Sequence, residues 1–189
     1  MTTLILAIVL GAAFGTVLDR VGATNPGYII RMLNLTDLHL MKTILLAIGI
    51  GSLLMFGGLL SGIVNVGHLS VKGAYAGVFV GGLLLGGGFA ISGFCPGTGL
   101  TAAATGRKDA MFFVVGGLVG AAAYMGSYAW VESTGLLESI AGGKSTLGQI
   151  AGTDYPAFFG SLPGEITGIV LGIVFIAIAA VLPMRILNR

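Results

Sequence analysis

GGGFAISGFCPGTGLTAAATG, residues 86–106, interrupts a chain of apolar blocks with Gly93, Pro96, Gly97 and Gly99 around Cys95, the only cysteine. A residue that precedes proline is driven out of the helical region, so the helix through 82–90 is expected to end near Cys95. Pro96 suits the first turn of a new helix and Thr98 its N-cap, followed by residues 100–105. The new segment, from Thr98 to Arg107, rises by about 15 Å, roughly half of a bilayer's hydrocarbon core. It is therefore a half-helix, and a half-helix that ends at membrane depth needs protein or a water-filled cavity around its free backbone groups.

The rest of the chain supports a bilayer setting. Of 189 residues, 56% are hydrophobic and 8% charged, far from the quarter of charged residues usual in soluble domains. Apolar blocks cover residues 4–18, 43–66, 73–94, 110–131 and 166–182, most of them near the roughly 20 residues a spanning helix needs. The first block lacks a basic segment before it and a small-residue cleavage site after it, so it is expected to remain in the mature protein. The fold class is an all-α polytopic membrane protein with about five transmembrane helices. Short re-entrant half-helices are expected at the Asn25-Pro26-Gly27 and Cys95-Pro96-Gly97 breaks. Residues 1–189 form a single membrane domain, with 132–164 an extramembrane, periplasmic connection ordered at the interface by Tyr155, Phe158 and Phe159. No internal repeat is evident.

Basic residues beside the blocks set the orientation. Arg20, Arg31, Arg107, Lys108, Arg185 and Arg189 all fall inside if five crossings start from an external N-terminus. His68 and Lys72 then fall outside. A net charge of +2, with most cations flanking spans, gives no reason to expect nucleic acid. One cysteine makes neither an internal disulfide nor a multi-cysteine metal site, and no cofactor or metal is expected. Gly73, Gly77 and Gly81, Gly82 and Gly86, Gly116 and Gly120, and Gly164, Gly168 and Gly172 are spaced for close helix contact.

At the second break, the positive end of the half-helix and the N–H groups of residues 97–100 favour an anion, and glycine lets it approach the backbone. The same field favours a thiolate at Cys95, while apolar burial opposes it. Most free cysteines are small buried hydrophobes, so packing competes with function here. A Gly/Pro break between half-segments is also where transporters bind their substrates. Thr98 and Thr101 either donate hydroxyls to an oxyanion or cap and back-bond the helix. Asn65 and Ser92, in apolar surroundings, are expected to bond between helices.

The Gly-rich helix running into GFCPGTGL, the small-residue run TAAATGRKDA and the apolar FFVVGGLVGA resemble the YeeE/YedE family of membrane proteins. The N-terminal GAAFGTVLDRVGATNP and the DLHLMK segment at 37–42 are similar to its half-size members. The resemblance covers most of residues 10–125. It implies uptake of a sulfur-containing anion such as thiosulfate through a central site, with Cys95 matching the family's motif cysteine. It also implies pairing with a second half-size protein or another copy, because one half carries only one of the relay cysteines. The implied substrate-binding set is Cys95 with Gly93, Phe94, Pro96, Gly97, Thr98, Gly99 and Thr101. His39, Lys42, His68 and Lys72 are candidate pathway residues, or else interfacial anchors and solvated turns. The protein is expected not to be an enzyme. The rival is a membrane sulfur-relay component that carries sulfane sulfur on Cys95, which needs a base or a favoured thiolate. A purely structural subunit is the third reading.

Overall fold

The computed structural model describes residues 1–140, 143–150 and 152–185. Arg189, counted above among the orientation signals, lies outside the described residues, as does the side chain of His68. In chain order the helices are α1 (Thr2–Arg20), α2 (Pro26–Leu33), α3 (His39–Leu60), α4 (Ala76–Ser92), α5 (Pro96–Ala104), α6 (Lys108–Ser133) and α7 (Gly164–Val181). A short 3-10 turn, Val66–His68, precedes α4, and two strands, β1 (Thr146–Gln149) and β2 (Ala157–Pro163), precede α7.

Five stretches are long and apolar enough to cross a membrane: Thr2–Arg20, His39–Leu60, Ala76–Ala104, Lys108–Ser133 and Gly164–Val181. They answer to the five apolar blocks, and the chain is a mostly helical, multi-pass membrane protein. Between 0% and 22% of each is buried, so most of their surface is left uncovered by the described residues of this chain. That follows from composition: with lipid as solvent, apolar side chains gain nothing by turning inward.

Two compact units divide the chain. The first comprises Met1–Leu40, Leu83–Trp130 and the segment from Pro183. Here Ala23, Ile29 and Leu40 form one buried cluster, with Leu18, Tyr28, Met32 and Phe89 against it, and Phe94, Ala102 and Ala110 form another with Phe113. Helix α1 lies on α5, where a Cβ on Gly15 would stand 3.7 Å from the Thr101 methyl.

The second unit comprises Met41–Gly82 and Val131–Leu182. Its α3 and α7 touch backbone to backbone. A Cβ on Gly49 would fall 2.8 Å from the Gly172 carbonyl oxygen, and one on Gly172 would fall 2.9 Å from that of Gly49. Ser52 Oγ donates to the Gly168 carbonyl at 2.7 Å, and Lys42 Nζ donates to the Leu182 carbonyl at 3.4 Å, where a cation offsets the negative end of α7. The expected close packing thus holds for Gly164, Gly168 and Gly172, all buried. Gly77 is also tightly set, its N–H donating to the Leu136 carbonyl at 2.7 Å. Gly81, Gly82, Gly86, Gly116 and Gly120 have no such neighbour within 4 Å among the described residues.

The connection after α6 holds structure that the sequence did not announce. Strands β1 and β2 pair in parallel, with Thr146 opposite Ala157 and Gly148 opposite Phe159, and a register shift follows Gly148. Asn65, expected to bond between helices, instead caps the 3-10 turn, its Oδ1 accepting from Gly67 N at 2.9 Å. Short polar side chains beside a free backbone N–H satisfy it locally before they reach a neighbour.

Candidate functional site

The site is built at the α4–α5 turn. Helix α4 ends at Ser92, and Gly93 turns the chain at φ +68°, a left-handed conformation that glycine adopts freely. A Cβ at Gly93 would lie 2.7 Å from Pro26 Cβ, so the first break of the chain is lodged against the second. Ser92 spans the turn itself: its Oγ accepts from Phe94 N at 3.2 Å, correcting the expected interhelical bond. Phe94, 2% exposed, packs its ring 5.7 Å from that of Phe113. Gly99 is bare for the same reason, since any side-chain carbon there would overlap the Phe113 ring.

Cys95 is the N-cap of α5, with φ −86° and ψ 162°, and Pro96 occupies the first helical position. The expected N-cap, Thr98, sits at the third helical position instead. The reason is local: a pre-proline residue is pushed to extended ψ, which is the backbone state an N-cap needs, so the cap falls on Cys95. The two side chains form a reciprocal box. Sγ accepts from Thr98 N at 3.5 Å, and Thr98 Oγ1 accepts from Cys95 N at 3.0 Å. The Thr98 hydroxyl hydrogen has two acceptors, Cys95 Sγ and the Cys95 carbonyl, each 3.2 Å away, and one proton to give. Thr98 is buried and Cys95 is half-buried.

This box narrows the set of free donors. The Gly99 N–H already bonds the Cys95 carbonyl at 2.8 Å, and the Thr98 N–H is held weakly by sulfur. Of the expected donors at 97–100, Gly97 N–H is the one left at the exposed mouth of the helix, where nothing described stands within 4 Å of where a Cβ would be. Thr101 back-bonds, donating to the Gly97 carbonyl at 3.0 Å. Cys95, Pro96, Gly97 and Thr98 are thus brought together at one helix end, Gly93 and Phe94 hold it in place, and Gly99 and Thr101 seat α5 against α6 and α1.

The candidate pathway residues make local contacts of their own. His39 opens α3, where its N–H bonds Asp37 Oδ1 at 3.1 Å. Lys42 is engaged with Leu182 as described, and exposed Lys72 donates to Ser70 Oγ at 2.9 Å. Sequence reasoning missed Pro26, Phe113 and Gly15 as supports of the turn. One signal was present: Asn25 caps α2 through its side chain, accepting from Gly27 N at 3.0 Å, with Pro26 next. Long, short and long helices therefore recur in order, α1–α2–α3 and α4–α5–α6, and each short helix opens on a side-chain cap, Pro and Gly.

The family described as sulphur transport matches residues 21–187. The chain belongs to the sulphur transport family. This is the YeeE/YedE family that the GFCPGTGL region resembles, and the match takes in both breaks and six of the seven helices. Membership supports a role in sulphur transport. No curated protein and no solved structure matches the chain.

Proposed function

We propose that the protein is one half of an importer for a sulfur-containing anion such as thiosulfate, and that the anion passes over the N-terminus of α5 in contact with Cys95. The observation that carries this reading is the cap itself. Sγ stands at the positive end of a helix beside an unshielded Gly97 N–H. The amide and the helix end attract the oxygens of the anion, while the thiol offers a weak S–H bond to a terminal sulfur, which sulfate lacks. Weak contacts suit conduction, because the site must release as readily as it captures. Among the described residues, the groups that hydrogen-bond Sγ are the Thr98 amide and hydroxyl, which position a thiol but take no proton from it, and this favours transport over a persulfide relay.

In this reading α2 and α5 are re-entrant, and the protein lies in an inner membrane with its N-terminus outside. Arg107, Lys108 and Arg185 are cytoplasmic, residues 132–164 are periplasmic, and exposed Lys72 attracts the incoming anion. A second half-size family protein or a second copy completes the path. The glycines of α4 and α6 that have no neighbour at the Cβ position among the described residues would give that partner a surface where backbones can approach.

Uptake of radiolabelled thiosulfate into cells that depend on this protein tests the proposal. Cys95→Ser keeps a side-chain cap and a donor but loses the polarizable sulfur, so uptake should be lost at matched membrane levels. Normal uptake by that variant would remove the thiol from the mechanism.

A further inference from the structure

A cavity of about 300 Å³ lies in the second unit between α3, α7 and β1, outside the Cys95 site. Phe56, Leu69, Val71, Leu171 and Phe175 give it an apolar wall. Thr146 also lines it, and its Oγ1 is buried without a hydrogen-bond partner among the described residues. A buried hydroxyl almost always has a partner, so an unpaired one in a cavity wall marks a missing acceptor or donor. The cavity follows α7 from Gly164, its first residue, to Phe175. That is about 16 Å of helix, roughly half of the hydrocarbon thickness and so the depth of one lipid leaflet.

Charge next in sequence to the lining residues favours one class of occupant. Lys72 directly follows the lining residue Val71, and Lys144 lies two residues before Thr146; both are exposed, Lys72 donates to Ser70 Oγ, Lys144 Nζ stands 5.9 Å from the Tyr155 ring centroid, and neither forms an ion pair among the described residues. An apolar wall one leaflet deep, a buried hydroxyl without a partner and two cations whose charge no carboxylate offsets among the described residues match an acyl chain, an ester carbonyl and a phosphate. We propose that this cavity binds one anionic phospholipid, with an acyl chain along α7, an ester carbonyl accepting from Thr146 Oγ1 and the phosphate toward Lys72 and Lys144. The proposal does not depend on the Cys95 site, none of whose residues line the cavity; Lys72 alone is shared with the transport reading, so Lys144, Thr146 and Leu171 are the residues varied to test it.

Native mass spectrometry of the full chain, extracted in mild detergent and then stripped of lipid, tests it with phosphatidylglycerol, phosphatidylcholine of the same chains, oleate and inorganic phosphate as probes. One phosphatidylglycerol per chain is expected, bound about tenfold tighter than phosphatidylcholine or oleate. Leu171→Trp should fill the cavity and abolish the adduct. Thr146→Val keeps the shape without the hydroxyl and should weaken binding by about tenfold, and Lys144→Gln should erase the preference for the anionic head. Equal lipid retention by the wild type, Leu171→Trp and Thr146→Val would overturn the site. Oleate binding as tightly as phosphatidylglycerol would overturn the headgroup assignment, and displacement of the lipid by inorganic phosphate alone would overturn the acyl-chain assignment. A lipid-free dimer that Leu171→Trp splits into monomers would show that a second copy fills the cavity, and would also overturn the proposal.

Discussion

Gly93 and Pro26 stand so close that no side chain fits between them: a Cβ on Gly93 would lie 2.7 Å from Pro26 Cβ and 3.2 Å from the Pro26 carbonyl oxygen. The turn that presents Cys95 is thereby fixed by a residue 67 positions earlier in the chain (93 − 26 = 67). Gly93→Ala should suffer twice, from the positive φ, which costs about 1–2 kcal/mol for an L side chain, and from the clash. We expect a clear drop in the thermal unfolding temperature in detergent, together with loss of uptake. An unfolding temperature equal to that of the wild type would mean that α2 and α5 do not brace each other as described.

Gly97→Val is the counterpart. Space is open at Gly97 and its φ is not positive, so stability should change little. Uptake should nonetheless fall sharply, since the new side chain covers the one unshielded N–H. A variant that loses both together would assign Gly97 to folding rather than to the ligand.

Thr98→Val removes the hydroxyl that accepts from Cys95 N and leaves that N–H without its partner. Loss of such a cap costs about 0.5–2 kcal/mol. Thr98→Ser should recover most of it. Comparing the unfolding temperatures of the two variants checks the box; equal losses would point to packing of the Thr98 methyl instead.

The glycine faces should divide by function. Gly49→Ala would press a methyl on the Gly172 carbonyl and should destabilise the chain itself by at least about 2 kcal/mol. Gly86→Leu and Gly116→Leu, on open faces, should leave the chain folded but reduce its assembly. Size-exclusion chromatography with light scattering separates the two effects. Intact assembly in both leucine variants would place the partner elsewhere.

Orientation has a direct test on the Cys95→Ser background. An impermeant thiol reagent added outside should label Ser145→Cys and miss Lys108→Cys. The reverse pattern would invert the topology.

The spans and breaks were legible because lipid imposes long apolar runs and because Pro and Gly punctuate them at 26–27 and 93–97. The cap was misplaced by three residues because threonine is the commoner capping side chain, whereas backbone geometry before Pro96 selected Cys95. Strands β1 and β2 were missed because four and seven residues paired in parallel across a connection leave too short a pattern to read. The Gly93–Pro26 and Gly49–Gly172 contacts are non-local, and nothing near either residue in sequence names its partner.

A sulfur atom in the cap of α5 also bears on how long a bound anion stays. On the proposed path, an anion that accepts from the Thr98 amide would have to displace Sγ, and on its departure the thiol, 3.5 Å away, would close over the same N–H. In that reading the helix end would be resealed by its own side chain after each passage. An oxygen cap would hold that amide more firmly and resist the incoming ion, whereas an uncapped end would bind it longer. With every 1.4 kcal/mol worth about tenfold in residence time, a cap of intermediate strength would set the turnover of the proposed site as directly as any contact to the ligand.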